Sequence, residues 1–335
     1  GGGGGISNSG TSAVVINSTF KQNIGVVDGG GIENVSPLTI TNSTFAGNDA
    51  PVGGGIDNFR TLTVINSTFT GNGPTLGGGN VSNDPHGNGS GTIKSTILTA
   101  GGAGGNCLGT ITDAGYNISD DSTCNFSVTG SFNNTNPMLN PNGLQNNGGP
   151  TQTIALLAGS PAIDAIPLAD CTDQASPPNP IVTDQRLFPR SDAGETACDI
   201  GAYEVQDKPF LPFSRFTGSL KIDPDAGGFY LASGFRLGTS GSIDPKTQPV
   251  AFSVGSYAVR LPVGSFVKNS TGYVYQKRVN GIFLRIFIKF TPYPGLYQLL
   301  ANRIGGTLTD TTSPVLVTLT VGNNSGSTQM NATFD

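Results

Sequence analysis

Gly29-Gly30-Gly31-Ile32-Glu33-Asn34 returns further along the chain as Gly53-Gly54-Gly55-Ile56-Asp57-Asn58. The same phrase stands earlier as Gly3-Gly4-Gly5-Ile6-Ser7-Asn8, and Gly77-Gly78-Gly79-Asn80 follows later. A second phrase keeps step: Ile16-Asn17-Ser18-Thr19-Phe20, Thr41-Asn42-Ser43-Thr44-Phe45 and Ile65-Asn66-Ser67-Thr68-Phe69. Matched phrases on one shared period mean a stack of like units, each a neighbour of the next.

Within a unit, apolar Leu38 and Ile40 alternate with polar Thr39 and Thr41. Period two reads as a half-buried strand. Each unit holds about three such strands, separated by Gly and Asn. A short strand buries little alone, but stacking units at ~4.8 Å pairs every strand in parallel and aligns like residues. The inward ladders are then Ile6/Ile32/Ile56, Ala13/Leu38/Leu62, Val15/Ile40/Val64 and Phe20/Phe45/Phe69. Asn17/Asn42/Asn66 and Asn23/Asn48/Asn72 are expected at the bends, where Asn tolerates left-handed backbone and its amide bonds the amides above and below. A leucine-rich repeat would need more Leu and a helical return, and a left-handed β-helix would need hexapeptide steps. The expectation is an all-β chain: a right-handed parallel β-helix, three strands per coil, over residues 1–149. The repeat decays after about residue 90. Asp84–Gly91, which carries His86, reads as a loop inserted into the fourth coil, Thr92–Ala100 as the resumed strand, and Gly109–Ser119 as an irregular coil.

Composition agrees. Charged residues are 12% of 335 and Gly is 50, so the chain is charge-poor and turn-rich. An ordinary soluble domain is roughly 25% charged. Residues 1–207 hold 5 Lys+Arg against 17 Asp+Glu, net −12, and residues 208–335 hold 12 against 5, net +7. Two readings fit: domains of separate ancestry, or opposite ends that attract each other or a charged partner. Cys107, Cys124, Cys171 and Cys198 fall as two local pairs in chain order. Metal sites want tighter spacing and usually His. Two local disulfides, Cys107–Cys124 and Cys171–Cys198, are the better reading and imply an oxidising compartment. No signal peptide or membrane-spanning run is present, and the sequence opens inside a repeat. A mature or trimmed piece is expected, secreted to the extracellular space or cell surface.

Residues 1–100 resemble the repeat region of bacterial right-handed parallel β-helix surface proteins, of the pectate-lyase-like and polymorphic outer-membrane type. Residues 106–204 resemble the choice-of-anchor Q region attached to such repeats. The phrases that carry this are Asn106-Cys107, Gly115-Tyr116-Asn117-Ile118-Ser119, Asn147-Gly148-Gly149-Pro150-Thr151-Gln152-Thr153, Gly159-Ser160-Pro161-Ala162-Ile163-Asp164, Thr183-Asp184-Gln185-Arg186 and Cys198-Asp199-Ile200-Gly201-Ala202-Tyr203-Glu204. The resemblance implies an exported bacterial protein and no particular activity. A sorting tail, usual in the family, is not expected within these residues.

Physically, 150–207 reads as the C-terminal closure of the helix, since an open end exposes unpaired backbone. Asp164, Asp184, Arg186, Arg190, Asp199 and Glu204 concentrate there, either as a buried carboxylate–Arg network, the favoured reading, or as a site. Residues 208–213 read as a linker. Residues 214–335 then read as a small antiparallel β-sandwich of about eight strands, from alternating runs near 217–223, 229–237, 249–254, 256–261, 271–277, 282–290 and 315–321 and the hairpin return after Gly322. In the last run Val315, Val317, Leu319 and Val321 point one way and Thr318 and Thr320 the other. On strand 282–290, Phe283, Arg285, Phe287 and Lys289 face outward. Either the protein covers them or they form a contact surface.

Most enzyme chemistry lacks parts. A lone His86 argues against a Ser-His-Asp set, and multi-His metal sites are excluded. No cofactor or metal is expected. The serious enzyme candidate is polysaccharide cleavage, which needs clustered carboxylates. Glu33 and Asp57, with Asp28 near, are the best group, at equivalent positions about 5 Å apart on adjacent coils. The competing reading is two solvated acids on an outer strand. Two classes of function follow: a non-catalytic surface or scaffold protein or adhesin, or a polysaccharide-binding or polysaccharide-cleaving β-helix. Partners expected are further copies joined head to tail, with Ile6, Val15 and Phe20 presenting the first coil, and cell-surface polysaccharide. Nucleic acid and a membrane span are not expected. A capping segment upstream of Gly1 is the rival to the filament.

Overall fold

A computed structural model of the chain describes residues 2–73, 77–83, 89–190, 195–207, 211–279, 281–308 and 313–334. His86 lies outside the described residues, as do most of the expected inserted loop and Lys208–Phe210 of the expected linker. The chain divides into two compact units. One comprises residues 1–174, 183–190 and 196–205; the other comprises 175–182, 191–195 and 206–335.

The first unit is a parallel β-helix with three strands in each coil. Coil 1 is β1 (Ile6–Asn8), β2 (Ala13–Ile16) and β3 (Thr19–Lys21). Coil 2 is β4 (Ile32–Asn34), β5 (Leu38–Thr41) and β6 (Thr44–Ala46). Coil 3 is β7 (Ile56–Asn58), β8 (Thr61–Ile65) and β9 (Thr68–Thr70). Coil 4 is β10 (Val81–Asn83), β11 (Ser90–Lys94) and β12 (Ile97–Thr99). Coil 5 is β13 (Cys107–Leu108), β14 (Ile111–Asp113) and β15 (Ile118–Ser119). Stacked, they make three five-stranded parallel sheets.

Every expected ladder is in register: Ile6, Ile32 and Ile56; Ala13, Leu38 and Leu62; Val15, Ile40 and Val64; Phe20, Phe45 and Phe69. The three rings stack at centroid separations of 4.5 Å, tilted by 4° and 5°. Phe45 and Phe69 are wholly buried, and Val15 is half-buried. The stretch 92–100 is two strands rather than one, because Ser95 turns the chain at φ 53°. Gly109–Ser119 is likewise no irregular coil but the fifth rung. Val81 pairs with Cys107, Gly91 with Ile111 and Ile97 with Ile118. The rung persists without the repeat because backbone pairing, not residue identity, defines it.

The two Asn columns divide the work expected of both. Asn17, Asn42 and Asn66 take the left-handed bends, at φ 52°, 50° and 47°. Asn23, Asn48 and Asn72 form the amide ladder: Asn23 Nδ2 donates to Asn48 Oδ1, and Asn48 Nδ2 to Asn72 Oδ1, at 2.8 Å each. A third column, Asn8, Asn34, Asn58 and Asn83, is an addition to those two. Each amide donates to the next at 2.7 Å. Buried amides need such partners, and these two ladder columns supply them, whereas the side-chain amide of Asn66 at the bend has none among the described residues.

Residues after coil 5 behave differently from a simple end closure. The disulfide Cys107–Cys124, with Cα atoms 4.9 Å apart, and Phe126 join the core of the coils. Residues of this unit within 147–174, 183–190 and 196–205 are bonded to the flank of the coils. Thr151 Oγ1 donates to the Asn17 carbonyl in coil 1, and Asn42 Nδ2 of coil 2 to the Thr183 carbonyl. The Ala202 N–H donates to Thr68 Oγ1 in coil 3, and the Gly201 N–H to the Ser95 carbonyl in coil 4. This strap holds the short antiparallel pair β16 (Ile166–Pro167) and β17 (Ala197–Cys198). Cys171–Cys198, with Cα atoms 6.4 Å apart, ties it to a separate small core.

The second unit is two sheets on a shared apolar core. One joins β18 (Leu211–Pro212), β21 (Val250–Val254), β22 (Tyr257–Leu261), β27 (Val315–Val321) and β28 (Asn324–Met330). The other joins β19 (Arg215–Asp223), β20 (Gly228–Arg236), β23 (Val267–Asn269), β24 (Gly272–Val279), β25 (Ile282–Phe290), β26 (Leu296–Ile304) and β29 (Ala332–Phe334), in the order β23-β24-β25-β26-β20-β19-β29. Leu211 and Pro212, expected in the linker, pair in parallel with β28, and β29 pairs in parallel with β19. The sandwich is therefore antiparallel except at those two contacts. β26 has no counterpart among the expected runs, because Gln298, Asn302 and a buried Arg303 mask its alternation. Thr318 and Thr320 face away from Val317 and Leu319 as read, yet that face is buried too, with their hydroxyls bonded to Ser327 and Ser325.

Candidate functional site

Glu33 and Asp57 are paired in register on β4 and β7, as their spacing requires. Their column runs Ser7, Glu33, Asp57, Ser82, Leu108, so each acid has hydroxyl or apolar neighbours beyond its partner. The Ser7 hydroxyl donates to Glu33 Oε2 at 2.7 Å. Asp57 is not solvated as expected, being 2% exposed, whereas Glu33 is half-buried. The cause is the glycine phrase. Gly53 turns at φ 61°, and a Cβ there would sit 2.6 Å from the Asp57 Cβ, so the turn folds over that strand face. Lys21 lies on β3 and Arg60 at the entry to β8, in other sheets.

The second cluster is the Arg–carboxylate network of the strap. Asp184 Oδ1 accepts from the Arg186 and Phe188 N–H groups at 2.8 and 3.0 Å. Its Oδ2 takes Arg186 Nη2 at 2.7 Å and the Glu204 N–H at 3.0 Å. The Arg186 guanidinium lies 4.4 Å from the Phe188 ring centre and 3.6 Å from that of Tyr203. Arg190 Nη1 donates to Glu204 Oε2 at 2.9 Å and to the Asp199 carbonyl at 3.0 Å, and Nη2 reaches Asn42 Oδ1 in coil 2 at 3.1 Å. Asp199 accepts from the Asp164 and Val205 N–H groups, and burial pushes its carboxyl up to about 7 against those bonds and the charge of Arg190. Asp164 enters through its backbone, while the residue itself is exposed. Sequence reasoning missed Gln185. It is fully buried, accepts from Thr44 Oγ1 at 2.6 Å and donates to Thr19 Oγ1 at 2.9 Å, joining two coils. The signal was its place between Asp184 and Arg186.

This arrangement satisfies charges rather than exposing them. The carboxylates of Asp184, Asp199 and Glu204 and the Nη atoms of Arg186 and Arg190 are turned to neighbours in the strap or the coils, which is a structural role. Lys94 is also consumed: its ammonium donates to the Thr172 carbonyl and hydroxyl at 3.0 and 2.7 Å, and burial lowers its pKa.

The third cluster is the outer face of the seven-stranded sheet. Leu284, Ile286 and Ile288 of β25 are buried in the core, while Arg285 and Lys289 are exposed and Phe283 and Phe287 half-buried. The two rings are thus neither covered by the other sheet nor fully open. Arg278 on β24 stands 5.8 Å from the Phe283 ring. Register places Arg215, Lys221 and Arg236 on the same face. The acid on those registers is Asp223, at a hairpin end, where it caps the Ala226 N–H.

Of the residues expected at an end-to-end contact, Ile6 is 37% exposed, whereas Phe20 is buried against Phe45. Among the described residues no group of three or more His, Cys, Asp and Glu is placed to hold a metal ion, and no helix is long and apolar enough to cross a membrane. A comparison with family models, curated proteins and solved structures gave no match to the chain.

Proposed function

We propose that the chain is a non-catalytic extracellular scaffold, exported and displayed as a rigid surface element or adhesin. It is a relative of the bacterial β-helix surface proteins with a choice-of-anchor Q region. The observation that carries this is the pairing of polar groups inside the first unit: two Asn amide ladders, a strap bonded to four coils, and Arg–carboxylate pairs held out of solvent. Such a body resists local opening. Two disulfides and the lack of a long apolar helix among the described residues are compatible with export.

Head-to-tail association belongs to the same reading. The −12 and +7 halves of the sequence favour contacts between unlike parts of different copies. A heterologous contact that does not close gives fibres.

The test is native material from the producing cells. The expected result is a disulfide-bonded chain outside the cytosol, visible as rods or fibres by electron microscopy, with no turnover of neutral or acidic polysaccharides. A reduced chain confined to the cytosol would overturn export. Cleavage abolished by Glu33→Ala or Asp57→Ala would overturn the non-catalytic reading.

A further inference from the structure

We propose that the outer face of the seven-stranded sheet binds an acidic polysaccharide. Strand register lines up Gln276 (β24), Arg285 (β25), Asn302 (β26), Tyr230 (β20) and Lys221 (β19) in one row across five neighbouring strands. Residues directly opposite in antiparallel pairs share a face, so the row is continuous. At ~4.8 Å per strand it spans roughly 19 Å, the scale of a short linear oligomer. Every member carries a hydrogen-bonding end, and Tyr230 is 51% exposed. The neighbouring rows hold Phe287 with Leu300 on one side and Phe283 with Ile304 on the other. A polar track between apolar rows suits a sugar chain, which offers hydroxyls at its edges and C–H groups on its faces.

The charge pattern selects the polymer. Arg278, Arg285, Lys289, Arg215 and Arg236 outnumber the acid on these registers, Asp223, so the face carries a positive excess and its complement is anionic. Within the row, however, Arg285 and Lys221 are three strands apart, roughly 14 Å, with neutral Asn302 and Tyr230 between them. Nucleic acid carries a phosphate every ~3.4 Å per strand and would leave most of its charges unmatched on this row. A polysaccharide with carboxylates at intervals matches both the sparse cations and the neutral donors. Arg285 can take a carboxylate in two parallel hydrogen bonds.

The inference rests on the extracellular reading for the source of its ligand. Its assay uses purified chain, so it can fail while the export test succeeds. The probes are hyaluronan, which bears a carboxylate on every second sugar, its carboxyl-reduced form, and poly(dT). Affinity electrophoresis should show retardation by hyaluronan and at least tenfold weaker retardation by the reduced polymer and by poly(dT). The double variant Arg285→Ala/Lys221→Ala should lose at least tenfold in apparent affinity with an unchanged melting profile. The charge-matched pair Lys21→Ala/Lys246→Ala should retain wild-type affinity. Gln276→Ala/Asn302→Ala, which alters no charge, should weaken binding at least threefold. No retardation by hyaluronan, an equal loss in the charge-matched control, or tighter binding to poly(dT) through Arg285 would each overturn the proposal.

Discussion

Arg190 and Glu204 meet at 2.9 Å with both side chains out of solvent, and the same guanidinium reaches Asn42 on the second coil. One cation therefore ties the strap to itself and to the helix it braces. Removing it strands a carboxylate, an amide oxygen and the Asp199 carbonyl together. Breaking a buried pair from one side costs about 3–5 kcal/mol. Arg190→Met is expected to fall in that range, and Glu204→Gln, which keeps an acceptor oxygen, to cost less. Scanning calorimetry of the two variants checks the order. Equal losses would show that the carboxylate charge, not the spread of acceptors, sets the stability.

Phe45 lies between Phe20 and Phe69 and has no exposed surface. Phe45→Ala removes two stacked contacts and leaves a cavity in the middle of the column, costing about 3–5 kcal/mol. Phe20, stacked on one side and 9% exposed, should cost less when truncated. Urea unfolding followed by far-UV circular dichroism checks this, since the chain has no Trp to report.

Asn48 uses its whole amide. Its Oδ1 accepts from Asn23, and its Nδ2 donates to Asn72 Oδ1 and to the Phe20 carbonyl. Asn48→Asp keeps the shape but loses both side-chain donors: Asn72 Oδ1 keeps the bond from the residue 48 N–H, while the Phe20 carbonyl loses its amide donor in the core, at about 1–3 kcal/mol. Amide hydrogen exchange should rise first at Asn23 and at Phe20 and Phe45 beside it. Unchanged protection there would show that the ladder is ornamental.

These cases show where the fold was legible. The coils were readable because a parallel stack asks for the same residue at each rung, so Ile32 and Ile56, or Phe45 and Phe69, repeat in the text of the sequence. The column Asn8, Asn34, Asn58, Asn83 closes the glycine phrase, but a repeated Asn does not by itself distinguish an amide ladder from a bend. Coil 5 was not readable, since Cys107 and Asp113 stand where Val81 and Ile93 do. The strap carries no period at all. Its binding to the flank depends on single long-range bonds such as Thr151 to Asn17, which no local pattern encodes. The burial of Asp57 was hidden because the glycines above it signal a bend, and a bend does not say which face it covers.

Cutting Cys107–Cys124 isolates the end of the helix from its middle. The bridge closes a loop of 17 residues, for which a chain-entropy account gives about 3 kcal/mol. Cys107→Ser/Cys124→Ser should release Phe126 and loosen β14 and β15, while coils 2 and 3 keep their own ladders. Hydrogen exchange resolved by segment is the measurement. Loss of protection spread evenly through β4–β9 would mean that the coils unfold as one and that the bridge is not a local staple.

Asp199 sets a pH dependence whose direction can be worked out. Burial raises its carboxyl to about 7, from an ordinary 3.8. Between those values the folded chain holds a proton that the unfolded chain has released. Stability must therefore fall as pH rises across that window, by linkage. Below about 4 both states are protonated, and above about 7 both are ionised, so the contribution flattens at each end. Asp113 and Asp121 act in the opposite sense. Burial would raise their pKa values, but hydrogen bonds outweigh it and hold them low, so their stabilisation is lost only on acidification below about 4. The window from about 4 to about 7 thus isolates Asp199. Calorimetry of the wild type at pH 5 and pH 7.5 should show the higher melting temperature for the first unit at pH 5, and Asp199→Asn should remove that difference. If the variant keeps the wild-type slope, the carboxylate is already ionised at pH 5, and the bonds from Asp164 and Val205 together with Arg190 outweigh its burial.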